Sequence, residues 1–150
     1  VKELKFKYFG IMKNTENKIA DIIRTGRSRG YIVSWTGRRL YAQREFCYAL
    51  PNHLIQGGCA DVVKIAMVNI HKKFPHIPMV LQIHDELIFD VPIELATIEL
   101  VNSIKKEMED AWPEKNGLKL RADASISYKS LAKRDFQEIK GDVLPSMQIQ

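Results

Sequence analysis

The chain has 150 residues, an apolar share of 45% and a formal net charge of +5, which suits a single soluble domain with room for one core. No apolar run approaches the length of a membrane helix, and no basic-apolar-small leader pattern opens the sequence, so a soluble protein with no membrane partner is expected, in the cytoplasm or, if viral, the host cytoplasm. Charge is uneven: residues 1–46 carry 11 Lys/Arg against 4 Asp/Glu, net +7, and residues 47–150 carry 12 against 14, net −2.

Ile19, Ile22 and Ile23 fall at helical spacing and predict a helix over residues 15–29, closed by Gly30. Residues 31–43 then read as a hairpin turning at Thr36-Gly37. Arg24, Arg27, Arg29, Arg38, Arg39 and Arg44 gather around that helix end and hairpin. Several guanidinium groups in one place suit a phosphate backbone; the alternative is a solvated helix face with cations at its C-terminus.

A long helix is predicted from about residue 56 to 74, with Val62, Ile65, Ala66, Ile70 and Phe74 making its apolar face. Asn52 and Gln56 are four apart and would project together if their turn is helical. Gly57 and Gly58 leave bare backbone beside them. Two amides there suit the minor groove of DNA, whose purine N3 and pyrimidine O2 acceptors recur across base pairs, so contacts would test pairing shape and not sequence. The plainer alternative makes Asn52 an N-cap and Gln56 an exposed first-turn residue.

Pro75 and Pro78 break the chain before residues 79–91, which read as two buried antiparallel strands around His84-Asp85-Glu86. Side-by-side carboxylates on a tight turn repel each other unless a divalent cation or a protonated partner shares the site. A solvated turn is the alternative. Pro92 leads into a helix with Leu95, Ile98, Val101, Met108 and Trp112 on one side, and Pro113 and Gly117 mark its end. Residues 118–127 alternate like a strand able to pair beside the hairpin, and residues 140–150 read as a weakly ordered tail. Cys47 and Cys59 lack metal or redox-pair spacing, and His53, His71, His76 and His84 form no zinc signature. The expectation is an α+β fold, an antiparallel sheet with hairpins packed against two or three long helices, in one domain over residues 1–139.

Asn52…Gln56-Gly57-Gly58-Cys59-Ala60-Asp61-Val62-Val63-Lys64-Ile65-Ala66-Met67, followed by Leu81-Gln82-Ile83-His84-Asp85-Glu86-Leu87, resembles the palm of family A DNA polymerases, the group that includes bacterial DNA polymerase I and several phage enzymes. Upstream, Gly30 to Tyr41 with its Gly37-Arg38-Arg39 is similar to the hairpin that follows the fingers in that family. The resemblance runs over roughly residues 8–135. It implies a partial palm domain and nucleotidyl transfer, in which a primer 3′-hydroxyl attacks the α-phosphate of a deoxynucleoside triphosphate with two Mg²⁺ ions stabilising the attacking and leaving oxygens.

On that resemblance His84, Asp85 and Glu86 stand at motif C. Asp85 is implied as metal ligand, Glu86 as a second metal contact or a shaper of the turn, and His84 as a group near the primer terminus, the alternative for His84 being a hydrogen bond that only fixes the hairpin. Asn52, Gln56, Arg38 and Arg39 are implied as DNA contacts. Asp61 and Lys64 remain open as helix-surface residues. The implied partners are primer–template DNA, deoxynucleoside triphosphates and the remaining polymerase portion.

The sequence departs from the family in three places. Motif A and the fingers helix match nothing here and are expected before Val1, so the Mg²⁺ pair would be completed from outside this chain. The connection from Gly37-Arg38-Arg39 to Asn52 follows the compact phage pattern, and Tyr48 stands where bacterial members carry an arginine. Two other classes compete with the polymerase reading. One is a non-catalytic DNA-binding module, against which Asp85 and Glu86 count; the other is a metal-dependent phosphohydrolase, for which no further carboxylate or histidine cluster completes a site.

Overall fold

A computed structural model describes residues 10, 12–112, 119–132, 135–141 and 144–145. Among the described residues, three long helices and three two-stranded antiparallel sheets make an α+β fold, as expected. The chain divides into two compact units, Val1–Asp61 and Val62–Gln150.

In the first unit, α1 spans Lys13–Arg29 and ends where Gly30 turns left-handed at φ 78°, its N–H donating to the Gly26 carbonyl. Glycine adopts that conformation without the Cβ clash other residues meet. β1 (Tyr31–Val33) and β2 (Arg39–Tyr41) pair as Tyr31↔Tyr41 and Val33↔Arg39, with the turn between them at Trp35–Gly37. Alternation then sends Ile32 and Leu40 to one face, where they pack with Ile22, Ile23, Cys47 and Leu50. Gly26 is needed in this core, because a Cβ built there would collide with Leu50 Cδ1.

A 3-10 helix over Arg44–Ala49 runs directly into α2, Leu50–Lys73. The helix therefore begins six residues earlier than the sequence predicts. Pro51 is compatible with that start, since a first-turn residue has no intrahelical use for its N–H. The reading of Asn52 as an N-cap is corrected by the same fact: Asn52 lies inside the helix. Tyr48 is exposed, its ring 6.4 Å from that of Phe46.

The second unit packs Val62, Ala66, Ile70 and Ala111 with Ile65, Met79, Leu87, Phe89, Ile104 and Met108 around them. β3 (Met79–Ile83) and β4 (Glu86–Phe89) form the predicted hairpin, with a register shift between Met79 and Leu81. Neither strand is buried: Leu87, Ile88 and Phe89 of β4 are half-buried, and β3 is more open still. Val80, Leu81 and Ile83 are 44–46% exposed, which corrects the expectation that both flanks of the turn are buried.

α3 spans Ile98–Asp110, with the Thr97 hydroxyl accepting from the Leu100 N–H as N-cap. Leu95, read as part of this helix, instead sits in a separate 3-10 turn, Ile93–Leu95. Lys73 Nζ reaches Glu107 Oε1 at 2.7 Å and ties α2 to α3. The alternating stretch near the C-terminus yields only β5, Ser125–Ile126, paired with β6, Gln137–Glu138, and not with the β3–β4 hairpin. Pro113, Gly117 and most of the tail lie outside the described residues.

Candidate functional site

The site residues fall in both units. Arg38, Arg39, Asn52 and Gln56 belong to the first, and His84, Asp85 and Glu86 to the second.

The β3–β4 turn is a two-residue loop, since Ile83 pairs with Glu86. So short a connection demands a positive φ in the loop, and His84 supplies it at 54°, alone among the described non-glycine residues. A side chain in that region costs about 1–2 kcal/mol. The turn has a local tie: Gln82 Nε2 donates to the His84 carbonyl across the loop. His84, Asp85 and Glu86 are all exposed, so the turn presents its imidazole and both carboxylates to whatever approaches.

Asp85 and Glu86 offer hard oxygen donors of the kind that Mg²⁺ accepts. Among the described residues no group of three or more His, Cys, Asp or Glu side chains is assembled to hold a metal. The donors fit in kind, and a complete site needs more of them.

In the first unit, Asn52 and Gln56 are exposed and one helical turn apart on α2, the arrangement their spacing predicts. Gly57 and Gly58 have a different use from the one read in the sequence. What approaches their bare backbone is the chain's own β1–β2 hairpin. A Cβ at Gly57 would lie 2.8 Å from Arg38 Nη2, and one at Gly58 would lie 3.2 Å from Trp35 Nε1. Arg38 Nη2 donates to the Gly57 carbonyl at 3.1 Å and Trp35 Nε1 to the Gly58 carbonyl at 3.4 Å.

Asp61, left open by its sequence context, is 8% exposed. Its Oδ2 accepts from the Thr36 hydroxyl at 2.8 Å and from Arg38 Nε at 3.3 Å, while Oδ1 lies 3.0 Å from Arg38 Nη2. Asp61 follows Gln56 by five positions and is polar among small and apolar neighbours; that placement and its position in the family-like stretch are its signals in the sequence. Arg39 turns to the opposite face of the hairpin. Its guanidinium lies 4.9 Å above the Tyr31 ring, with Tyr41 5.6 Å from Tyr31, and hydrogen bonding to the Tyr41 side chain raises its already high pKa. Arg24, Arg27, Arg29 and Arg44 are exposed as well.

Residues 1–131 match the profile of DNA polymerase family A. The thermostable DNA polymerase I of Thermus filiformis is 30% identical over 154 aligned positions, which cover 91% of this chain and 17% of that protein. DNA polymerase I of Lactococcus lactis subsp. cremoris is 34% identical, covering 70% of this chain and 13% of that protein. Among solved structures, the POL domain of Pol1 from M. smegmatis, in complex with DNA primer–template and dNTP, superposes with a TM-score of 0.67 at 29% identity, over 75% of this chain and 22% of that one. The chain thus spans less than a fifth of the length of the curated relatives it is compared with here.

Proposed function

Because this chain belongs to DNA polymerase family A, we propose that it forms the C-terminal palm portion of a DNA-directed DNA polymerase, working with motifs supplied by further residues of the same polypeptide or by another subunit. The observation that carries this reading is the exposed His84-Asp85-Glu86 turn at the tip of a two-residue hairpin, inside a chain most of which matches that family. Such a turn holds its carboxylates on rigid strands while leaving them open to a reacting phosphate.

In this role Asp85, with Glu86 beside it, holds Mg²⁺. The ion, when bound, stabilises negative charge on the oxygens of the transferring phosphoryl group. His84 lies next to Asp85 and donates a hydrogen bond toward the primer terminus. Asn52 and Gln56 offer side-chain amides to the minor-groove acceptors of the newest base pairs, which occur at similar positions in every correct pair. Arg39 and the exposed arginines at the end of α1 follow the phosphate backbone and add affinity without sequence preference.

The apolar, exposed face of β3 receives the rest of the palm, and the two-stranded hairpin gains neighbours there. On this reading the chain by itself does not incorporate nucleotides, because Asp85 and Glu86 are too few to hold two ions in line with the reacting phosphate. Primer extension by this chain together with a polypeptide carrying the family's other motifs tests the proposal, with Asp85→Asn as control.

A further inference from the structure

The sequence pattern makes Arg38 a cation for DNA, yet its Nε and Nη2 are already engaged within the chain. Nη2 serves both Asp61 Oδ1 and the Gly57 carbonyl, and Nε serves Asp61 Oδ2. A bidentate grip on a phosphate through Nε and Nη2 would need this same fork of donors turned outward. Asp61 is nearly buried and would lose its charged partner if Arg38 turned away, and an ion left unpaired out of water is costly. Thr36 completes the attachment through its hydroxyl, and the missing side chains at Gly57 and Gly58 make the space into which Arg38 and Trp35 fit.

We propose that Arg38 and Asp61 are a positioning pair: they pin the β1–β2 hairpin to α2 and so fix the helical turn that presents Asn52 and Gln56, and Arg38 contributes no phosphate contact. The consequence for DNA rests on the function proposed above; the pairing itself does not. A positioning role needs the planar fork, whereas a phosphate contact needs only the positive charge. Lysine keeps the charge and loses the fork, so Arg38→Lys separates the two.

The test is binding of a labelled primer–template duplex by the 150-residue chain across a salt series, for Arg38→Lys, Arg38→Gln, Asp61→Asn and the Arg38→Gln/Asp61→Asn double variant. A positioning pair leaves the slope of log affinity against log salt unchanged in all four. It makes Arg38→Lys lose as much affinity as Arg38→Gln, and it makes the double variant no weaker than the worse single one. The proposal is overturned if Arg38→Gln lowers the slope by about 0.9, the value of one phosphate contact, while Arg38→Lys binds like the unsubstituted chain and Asp61→Asn binds more tightly. Thermal unfolding of the same variants gives a readout that needs no DNA. If the unsubstituted chain binds no duplex, the functional reading fails, and the pairing is still judged there. Losses in the double variant that do not add support it, and losses that add as for independent residues overturn it.

Discussion

Arg38 and Asp61, 23 positions apart in the sequence, meet at 3.0 Å between Nη2 and Oδ1. The contact joins a hairpin turn to the fourth turn of a helix, and the Thr36 hydroxyl reaches the same carboxylate from the same hairpin turn. It explains why two consecutive glycines persist within a 24-residue helix, where each is worth roughly 1 kcal/mol less than alanine. The space they leave is filled by Arg38 and Trp35.

A related close approach predicts the effect of filling Gly26. An added Cβ would collide with Leu50 Cδ1, and Leu50 has no exposed surface. Alanine gains about 1 kcal/mol of helix propensity, but overpacking of a closed core costs about 1–3 kcal/mol. Gly26→Ala is expected to lower the urea midpoint of the chain. A raised midpoint would mean that the core around Leu50 yields easily.

The turn at His84 makes a second stability prediction. Glycine at φ 54° relieves the Cβ clash at some cost in backbone entropy, so His84→Gly should unfold within about 1 kcal/mol of the unsubstituted chain. Valine, β-branched, is the worst fit there and should cost about 1–3 kcal/mol. Equal melting of the two variants would contradict the turn geometry. In primer extension by an assembled polymerase both variants should be slow, because both lack the imidazole.

Asn52→Ala and Gln56→Ala should leave thermal unfolding almost unchanged, as both side chains are exposed. In the assembled enzyme they should slow extension, with a larger penalty after a mismatched pair than after a correct one. Single-turnover extension from matched and mismatched primers measures this. Equal penalties on the two primers would remove the minor-groove role.

The exposed apolar residues of β3 predict self-association of the isolated chain. Leu81 and Ile83 are two apart on one face of the strand, 44% and 46% exposed. Replacing both with lysine should reduce aggregation seen by light scattering at high concentration while the fold survives. If the unsubstituted chain stays monomeric at every concentration, this face needs no cover.

Where periodicity was long and breakers were clear, the sequence was legible. Ile19, Ile22 and Ile23 with Gly30 marked α1, and Pro78 and Pro92 bracketed the β3–β4 hairpin with His84-Asp85 at its turn. The start of α2 is hidden in the sequence because Pro51, Gly57 and Gly58 resemble breakers; Pro51 is tolerated in the first turn, and the two glycines face Arg38 and Trp35 of the hairpin. The strand near residue 120 was overestimated because alternation alone does not supply a neighbour to pair with. The role of Asp61 was hidden for a similar reason: nothing local indicates that Arg38 and Thr36, more than 20 positions earlier, will close on it.

Primer extension with three preparations tests the central claim most directly: this chain alone, a polypeptide supplying the family's remaining polymerase motifs alone, and the two together. The expected result is incorporation only in the combined sample, lost by several orders of magnitude with Asp85→Asn while duplex binding stays nearly intact, since the carboxylate acts on charge developed in the transition state. Full incorporation by the combined sample carrying Asp85→Asn, or incorporation by this chain alone, would contradict the account.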